Sequence, residues 1–189
     1  AANLTSTSSH DYDAGHGLRI IRGLVPDIVL INEFRFGSNT TEDLAAFMEL
    51  AFGSVHTYTY YRGPGGLPNG VLSRYPILEA GTWDDLELSD REFDWARIDV
   101  PGARDLWAVS IHFKAGSGAT EEARRVHEGQ QLFDPSQKPP SGYLAALPEN
   151  DYVVVGGDFN TYARDEACIL TLGDYLMIDG PFPDDGAAP

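Results

Sequence analysis

Residues 151–161 read DYVVVGGDFNT. Val153, Val154 and Val155 form a β-branched run bounded by polar residues and glycines, the pattern of a strand covered on both faces. Gly156 and Gly157 permit a turn or the close approach of another segment. Asp158 and Asn160 are alternate residues, so in an extended conformation their side chains point the same way while Phe159 turns into the core. A carboxylate and an amide are thereby expected in one small volume at the end of a rigid strand. Both residue types also favour turns, which is the plainer reading of this tetrad taken alone.

The 189 residues suit one domain, 1–189, with a sizeable core, and the 42% hydrophobic content is that of a globular chain. No apolar run approaches the roughly 20 residues needed to cross a bilayer. The first residue is not methionine, which fits a processed chain; the protein is expected to be soluble, with secretion one route by which a leader is lost. The single cysteine, Cys168, has no internal disulfide partner and reads as a small core residue. Lysine and arginine number 13 against 29 acids, a formal charge of -16, so the surface on average repels polyanions. That balance argues against gripping nucleic acid by charge alone. A phosphate substrate would need a bound cation or a local basic patch.

Outward from the valine strand, GLRIIRGLV (17–25) has apolar residues at helical spacing, Leu18, Ile21 and Leu24 or Val25, and Pro26 ends the helix. PDIVLINE then gives a short strand with Glu33 at its C-terminal end. Thr40 or Thr41 caps a second helix with Leu44, Phe47, Met48 and Ala51 on one stripe. Residues 56–61 alternate as a strand, RGPGGLPNG is a loop, and 71–73 with 77–78 make two strands broken at Pro76. Strands are expected over 93–100 and 106–113, a polar helix over about 120–132, and a loop at Pro139 and Pro140. Arg74 is expected to pack or pair structurally. His10, His16, His56 and His127 show no metal-ligand spacing. Helices mixed with strand pairs indicate α/β layers with antiparallel elements.

Polar groups thus fall at strand ends or turns at Asn3, Glu33, Asn69 with Gly70, His112, and Asp158 with Asn160. In that order, PDIVLINEFR, NGVLSRYPI, SIHFKAG and VVVGGDFNT resemble the segments of the endonuclease/exonuclease/phosphatase (DNase I-like) superfamily, with Asn32 where glutamine is usual. The resemblance implies an α+β, four-layered sandwich of two packed mixed β-sheets flanked by helices, with the site at one edge. It also implies Glu33 as a ligand of Mg²⁺ or Mn²⁺ with Asn3 nearby, and Asp158 as the group that orients or deprotonates the attacking water. Asn160 would hold water and phosphate, His112 would bond a non-bridging phosphate oxygen, and Arg35 would meet the substrate backbone. The chemistry suits the residue types, since Mg²⁺ takes hard oxygen ligands, typically one or two carboxylates completed by water and phosphate.

The implied activity is metal-dependent hydrolysis of phosphodiesters, most simply of nucleic acid, with no protein partner expected. Sphingomyelinase-like or inositol-phosphate phosphatase activity is the alternative within the enzyme class, and a catalytically inactive binding domain the alternative outside it. The family's further Asp-x-hydrophobic strand and closing Ser-Asp-His segment have no counterpart after Asn160, and little precedes Asn3. The domain is therefore expected to be incomplete at both ends and to lack the C-terminal strands, and these 189 residues alone are expected to hydrolyse weakly or not at all.

Overall fold

In a computed structural model the described residues are 1–3, 16–53, 58–134 and 142–176. They divide into two compact units, Ala1–Lys114 with Leu147–Asn160, and Ala115–Ala146 with Thr161–Pro189.

The first unit holds two mixed four-stranded sheets. One runs in the order β1 (Ala2–Asn3), β2 (Ile28–Asn32), β4 (Gly70–Ser73), β3 (Thr59–Arg62), with β1 parallel to β2 and the other pairings antiparallel. The other runs β5 (Ile77–Trp83), β6 (Phe93–Ile98), β7 (Leu106–His112), β8 (Tyr152–Asp158), antiparallel except for the parallel pair β7 and β8. Strand periodicity divides the apolar residues between two cores. Val29 and Ile31 of β2 and Leu72 of β4 pack against Leu18 and Ile21 of α1 (His16–Leu24) and Leu44, Phe47 and Ala51 of α2 (Thr41–Phe52). Leu30 and Val71, one residue out of phase, meet Ala96, Ile98 and Ala108 between the sheets. Thr40 closes a capping box with Asp43 at the start of α2, an arrangement worth about 1 kcal/mol. Arg74 pairs with Asp27 at 2.8 Å, so its role is structural.

The second unit contains α3 (Ala119–Phe133) and α4 (Ala167–Gly173), which pack together with Cys168 buried. Arg125, fully buried, donates to Glu166 at 2.8 Å and to the Gly116 carbonyl at 2.9 Å, which satisfies a charge that would otherwise be costly to bury. Among the described residues no helix is long and apolar enough to cross a membrane.

The α+β expectation of two packed mixed sheets with helices holds; several details differ. Among the described residues nothing covers the valine strand β8 on both faces. Among the described residues it is an edge strand, and Tyr152 and Val154 are 54% and 40% exposed, whereas its neighbour β7 is almost wholly buried. A β-branched run looks the same in a central and in an edge strand. Leu24 and Val25 are exposed because Val25 leaves the helix with φ 44°, ahead of Pro26. The strand expected at 77–78 continues to Trp83 through its pairing with β6. His10, His56 and Pro139 with Pro140 lie outside the described residues.

Candidate active site

Two strand ends from different sheets meet through one amide. Asn32, last residue of β2 and in phase with Leu30, faces the other sheet and is fully buried. Its Nδ2 donates to Asn69 Oδ1 at 2.8 Å and to the Ile111 carbonyl of β7 at 2.7 Å. Two acceptors on one nitrogen fix the orientation of the amide, and Oδ1 is left buried without a hydrogen-bond partner among the described residues. Ser110 adds a second tie between the sheets, its hydroxyl donating to the Ile31 carbonyl at 3.0 Å.

Glu33 follows directly, with φ 51°, in the left-handed region that non-glycine residues rarely adopt. The bonds on either side of it end on adjacent residues, since Asn32 bonds Asn69 and the Phe34 N–H donates to the Pro68 carbonyl at 2.7 Å. Asn3 pairs with Asn32 in the parallel register of β1 and β2, which puts its backbone at the same edge; its side chain lies outside the described residues.

On the other sheet the parallel register sets His112 beside Asp158, with Nε2 and Oδ2 3.9 Å apart. Gly157 makes that register possible: a Cβ there would stand 1.8 Å from the Ile111 carbonyl oxygen. Asp158 and Asn160 come together by a turn instead of by extended alternation. Asn160 has φ 52°, and its N–H donates to Asp158 Oδ1 at 2.9 Å while its Nδ2 donates to the Phe113 carbonyl at 2.8 Å. The turn reading and the shared-volume reading therefore both hold, because the turn creates the volume. Phe159 packs edge-on against Phe113, 5.5 Å between centroids.

His112 is buried, and burial first, then the Arg91 guanidinium, hold its pKa below the usual imidazole range against the opposing pull of Asp158, Glu33 and Asp90. The ring is thus neutral near pH 7, and its Nδ1 has no hydrogen-bond partner among the described residues. Arg91, only 9% exposed, pairs side-on with Asp90 through Nε and Nη2 at 3.2 and 3.1 Å and holds the Asp90 carboxyl below its ordinary range. Arg35 makes no ion pair among the described residues, and its charge, after burial, helps to lower the pKa of Arg62, whose Nε donates to the Phe34 carbonyl at 2.6 Å. Arginines therefore border the Glu33 side of a chain whose net charge is strongly negative.

No three His, Cys, Asp or Glu side chains among the described residues gather around one point as a metal-ligand set. Glu33 supplies a carboxylate and its neighbour Asn32 an amide oxygen without a hydrogen-bond partner among the described residues, both of the hard-oxygen type that Mg²⁺ or Mn²⁺ takes. Sequence reading missed the work of Asn32, Asp90, Arg91 and Asp94. For Asn32 there was a signal, an amide ending the apolar run VLI; for the others there was none beyond charge, Asp94 within β6 and Asp90 and Arg91 in the loop before it.

The model of the Endonuclease/Exonuclease/phosphatase family matches residues 18–188. Similar solved structures include truncated TDP2 of Caenorhabditis elegans, at 17% identity over 76% of this chain and 53% of that one, TM-score 0.55. The endonuclease/exonuclease/phosphatase protein of Beutenbergia cavernae DSM 12333 shows 21% identity over 76% of this chain and 41% of its own, TM-score 0.55. An AP endonuclease of Archaeoglobus fulgidus shows 14% identity over 82% and 62%, TM-score 0.51. The chain thus spans less than two thirds of the length of each. None of the curated proteins compared is similar in sequence.

Proposed function

The chain belongs to the endonuclease/exonuclease/phosphatase family, whose members hydrolyse phosphoester bonds, and from that we propose that it is a divalent-metal-dependent phosphodiesterase acting on nucleic acid. The observation that supports the reading is that Asn32, next to Glu33, ties its strand end to β7, whose last residue His112 lies beside Asp158, itself bonded by Asn160. The family match runs through both compact units, which supports a single domain.

Glu33, with Asn3 nearby, would hold Mg²⁺ or Mn²⁺. When bound, that ion polarises a phosphoryl oxygen and stabilises charge on the leaving oxygen. His112, held neutral by burial, would donate the N–H of Nε2, the ring nitrogen on the Asp158 side, to a non-bridging phosphate oxygen. Asp158 accepts the proton of the attacking water. Asn160 has one amide hydrogen committed to Phe113, so its Oδ1 serves to orient that water. Arg35, which makes no ion pair among the described residues, would meet the substrate backbone, and the nuclease preference rests on it and on the AP endonuclease among the similar folds.

The test is a substrate panel with the full-length protein and added Mg²⁺ or Mn²⁺: plasmid, single-stranded nucleic acid and bis-p-nitrophenyl phosphate. Cleavage of nucleic acid is expected. Hydrolysis confined to inositol phosphates or sphingomyelin would move the substrate assignment, and no cleavage of any would reject the enzyme reading.

A further inference from the structure

We propose that Asp94 is a positioning residue, holding the Pro68–Asn69 pair so that the backbone on both sides of Glu33 is fixed. The proposal rests on the phosphoesterase reading of Glu33. Asp94 lies on β6 and is fully buried between the sheets. Thr82 Oγ1 donates to its Oδ1 at 2.6 Å, and the backbone N–H of Asn69 lies near enough to the same carboxyl to favour its charged form. The hydroxyl of Tyr61 continues the chain, 2.7 Å from Thr82 Oγ1. The carboxyl is pressed against the loop itself, since a Cβ at Gly63 would stand 1.9 Å from Oδ2. That loop is closed by the Gly63 N–H on the Asn69 carbonyl at 3.0 Å.

Asn69 then spreads the anchor. Its Nδ2 donates to the Glu92 carbonyl at 2.6 Å, and its Oδ1 accepts from Asn32 at 2.8 Å. Its neighbour Pro68 accepts from the Phe34 N–H at 2.7 Å. Both bonds flanking Glu33 therefore end on the residue pair that Asp94 holds. A glutamate at φ 51° persists only where its surroundings over-determine it, and these bonds are that surrounding. For stability alone a carboxyl is a poor choice here. Asp94 Oδ2 has no partner among the described residues, and burial first, with Glu92 adding and Thr82, Asn69 and Arg62 opposing, pushes the group up to about 7.

The test compares Asp94→Ala and Asp94→Asn in the full-length protein. Three quantities are read: kcat and KM on bis-p-nitrophenyl phosphate with Mg²⁺, Tm, and the Asn32 side-chain amide in the ¹H–¹⁵N spectrum. Displacing a catalytic group by a fraction of an ångström to an ångström costs up to about 100-fold. Asp94→Ala is expected to lower kcat about 10- to 100-fold with KM within about threefold, and to shift the Asn32 amide. Asp94→Asn still offers an oxygen to Asn69 and Thr82 and is expected to keep kcat within about threefold. An unchanged kcat in folded Asp94→Ala, or equal losses in both variants, overturns the proposal. If the wild type hydrolyses nothing, the functional reading falls separately, and an Asn32 amide unmoved by Asp94→Ala would still overturn this inference. Should Asp94→Ala not fold, Thr82→Val removes the hydroxyl from the same carboxyl; a shifted Asn32 amide supports the proposal and an unmoved one overturns it.

Discussion

The two sides of the candidate site are held in different ways. Glu33 stands over buried polar groups, Asn32, Asn69, Ser110 and Asp94, that tie one sheet to the other, and its own backbone is strained. Among the described residues Asp158 and Asn160 stand at the end of a half-exposed edge strand, held by a local turn and by one bond from Asn160 to the Phe113 carbonyl. The difference separates two kinds of dependence. Interior hydrogen bonding carries the Glu33 side, so stability and site geometry fail together there. A local turn and a single bond to Phe113 carry the Asp158 side, so on the proposed function chemistry can be removed there with the fold left intact.

The largest expected effect cleanly splits the two. Asp158→Asn removes the proton acceptor and should lower kcat on bis-p-nitrophenyl phosphate by about 100-fold to 10,000-fold. The urea midpoint should move by less than about 1 kcal/mol, because the amide still accepts from the Asn160 N–H. A loss of stability equal to that of Asn32→Ala would dissolve the contrast.

Next in size is a pH effect confined to the Glu33 side. The folded-state pKa of Asp94, about 7, lies above its ordinary 3.8, so the folded state binds the extra proton between those values. The stability associated with that proton is fully present below about pH 4 and is lost as pH rises through about 7. At roughly 1.4 kcal/mol per pKa unit the swing is about 4 kcal/mol. Urea unfolding of wild type and Asp94→Asn at pH 5 and pH 8 should therefore diverge towards pH 8, with the variant gaining relative stability. Parallel curves would show that Asp94 titrates normally.

Asn32→Ala should come next, destabilising by about 3 kcal/mol in urea, since it strands the Ile111 carbonyl and Asn69 Oδ1. The smallest effect is expected from Asn160→Gly. Glycine accepts φ 52° without strain but forgoes the bond to Phe113, so the net change should stay within about 1 kcal/mol. A larger loss would mean that the bond to Phe113 holds this side more than the local turn does.

What the sequence disclosed follows the same division. VVVGGDFNT and PDIVLINE announced strand ends with polar residues, because period and composition are local properties, and the helices over 17–25 and from Thr41 were legible for the same reason. The exposure of β8 was not legible, since a run of valines carries no mark of whether a neighbour lies on its outer side. Nor was the left-handed backbone at Glu33, which is enforced by Pro68 and Asn69, more than thirty residues along the chain. Nothing local singled out Asp94, a charge between Phe93 and Trp95. Only the pairing of β6 with β5 and β7, together with the space left by Gly63, turns it inward.

On the proposed function, Glu33 is the residue that makes catalysis depend on a divalent ion. The measurement is the rate of bis-p-nitrophenyl phosphate hydrolysis by the full-length protein as Mg²⁺ is raised from zero, for wild type and Glu33→Gln at equal folded fraction. The account predicts a saturable Mg²⁺ dependence in the wild type and at least about a 100-fold lower rate in the variant at every concentration. A wild-type rate that persists in EDTA, or a Glu33→Gln curve that overlays the wild type, would contradict it.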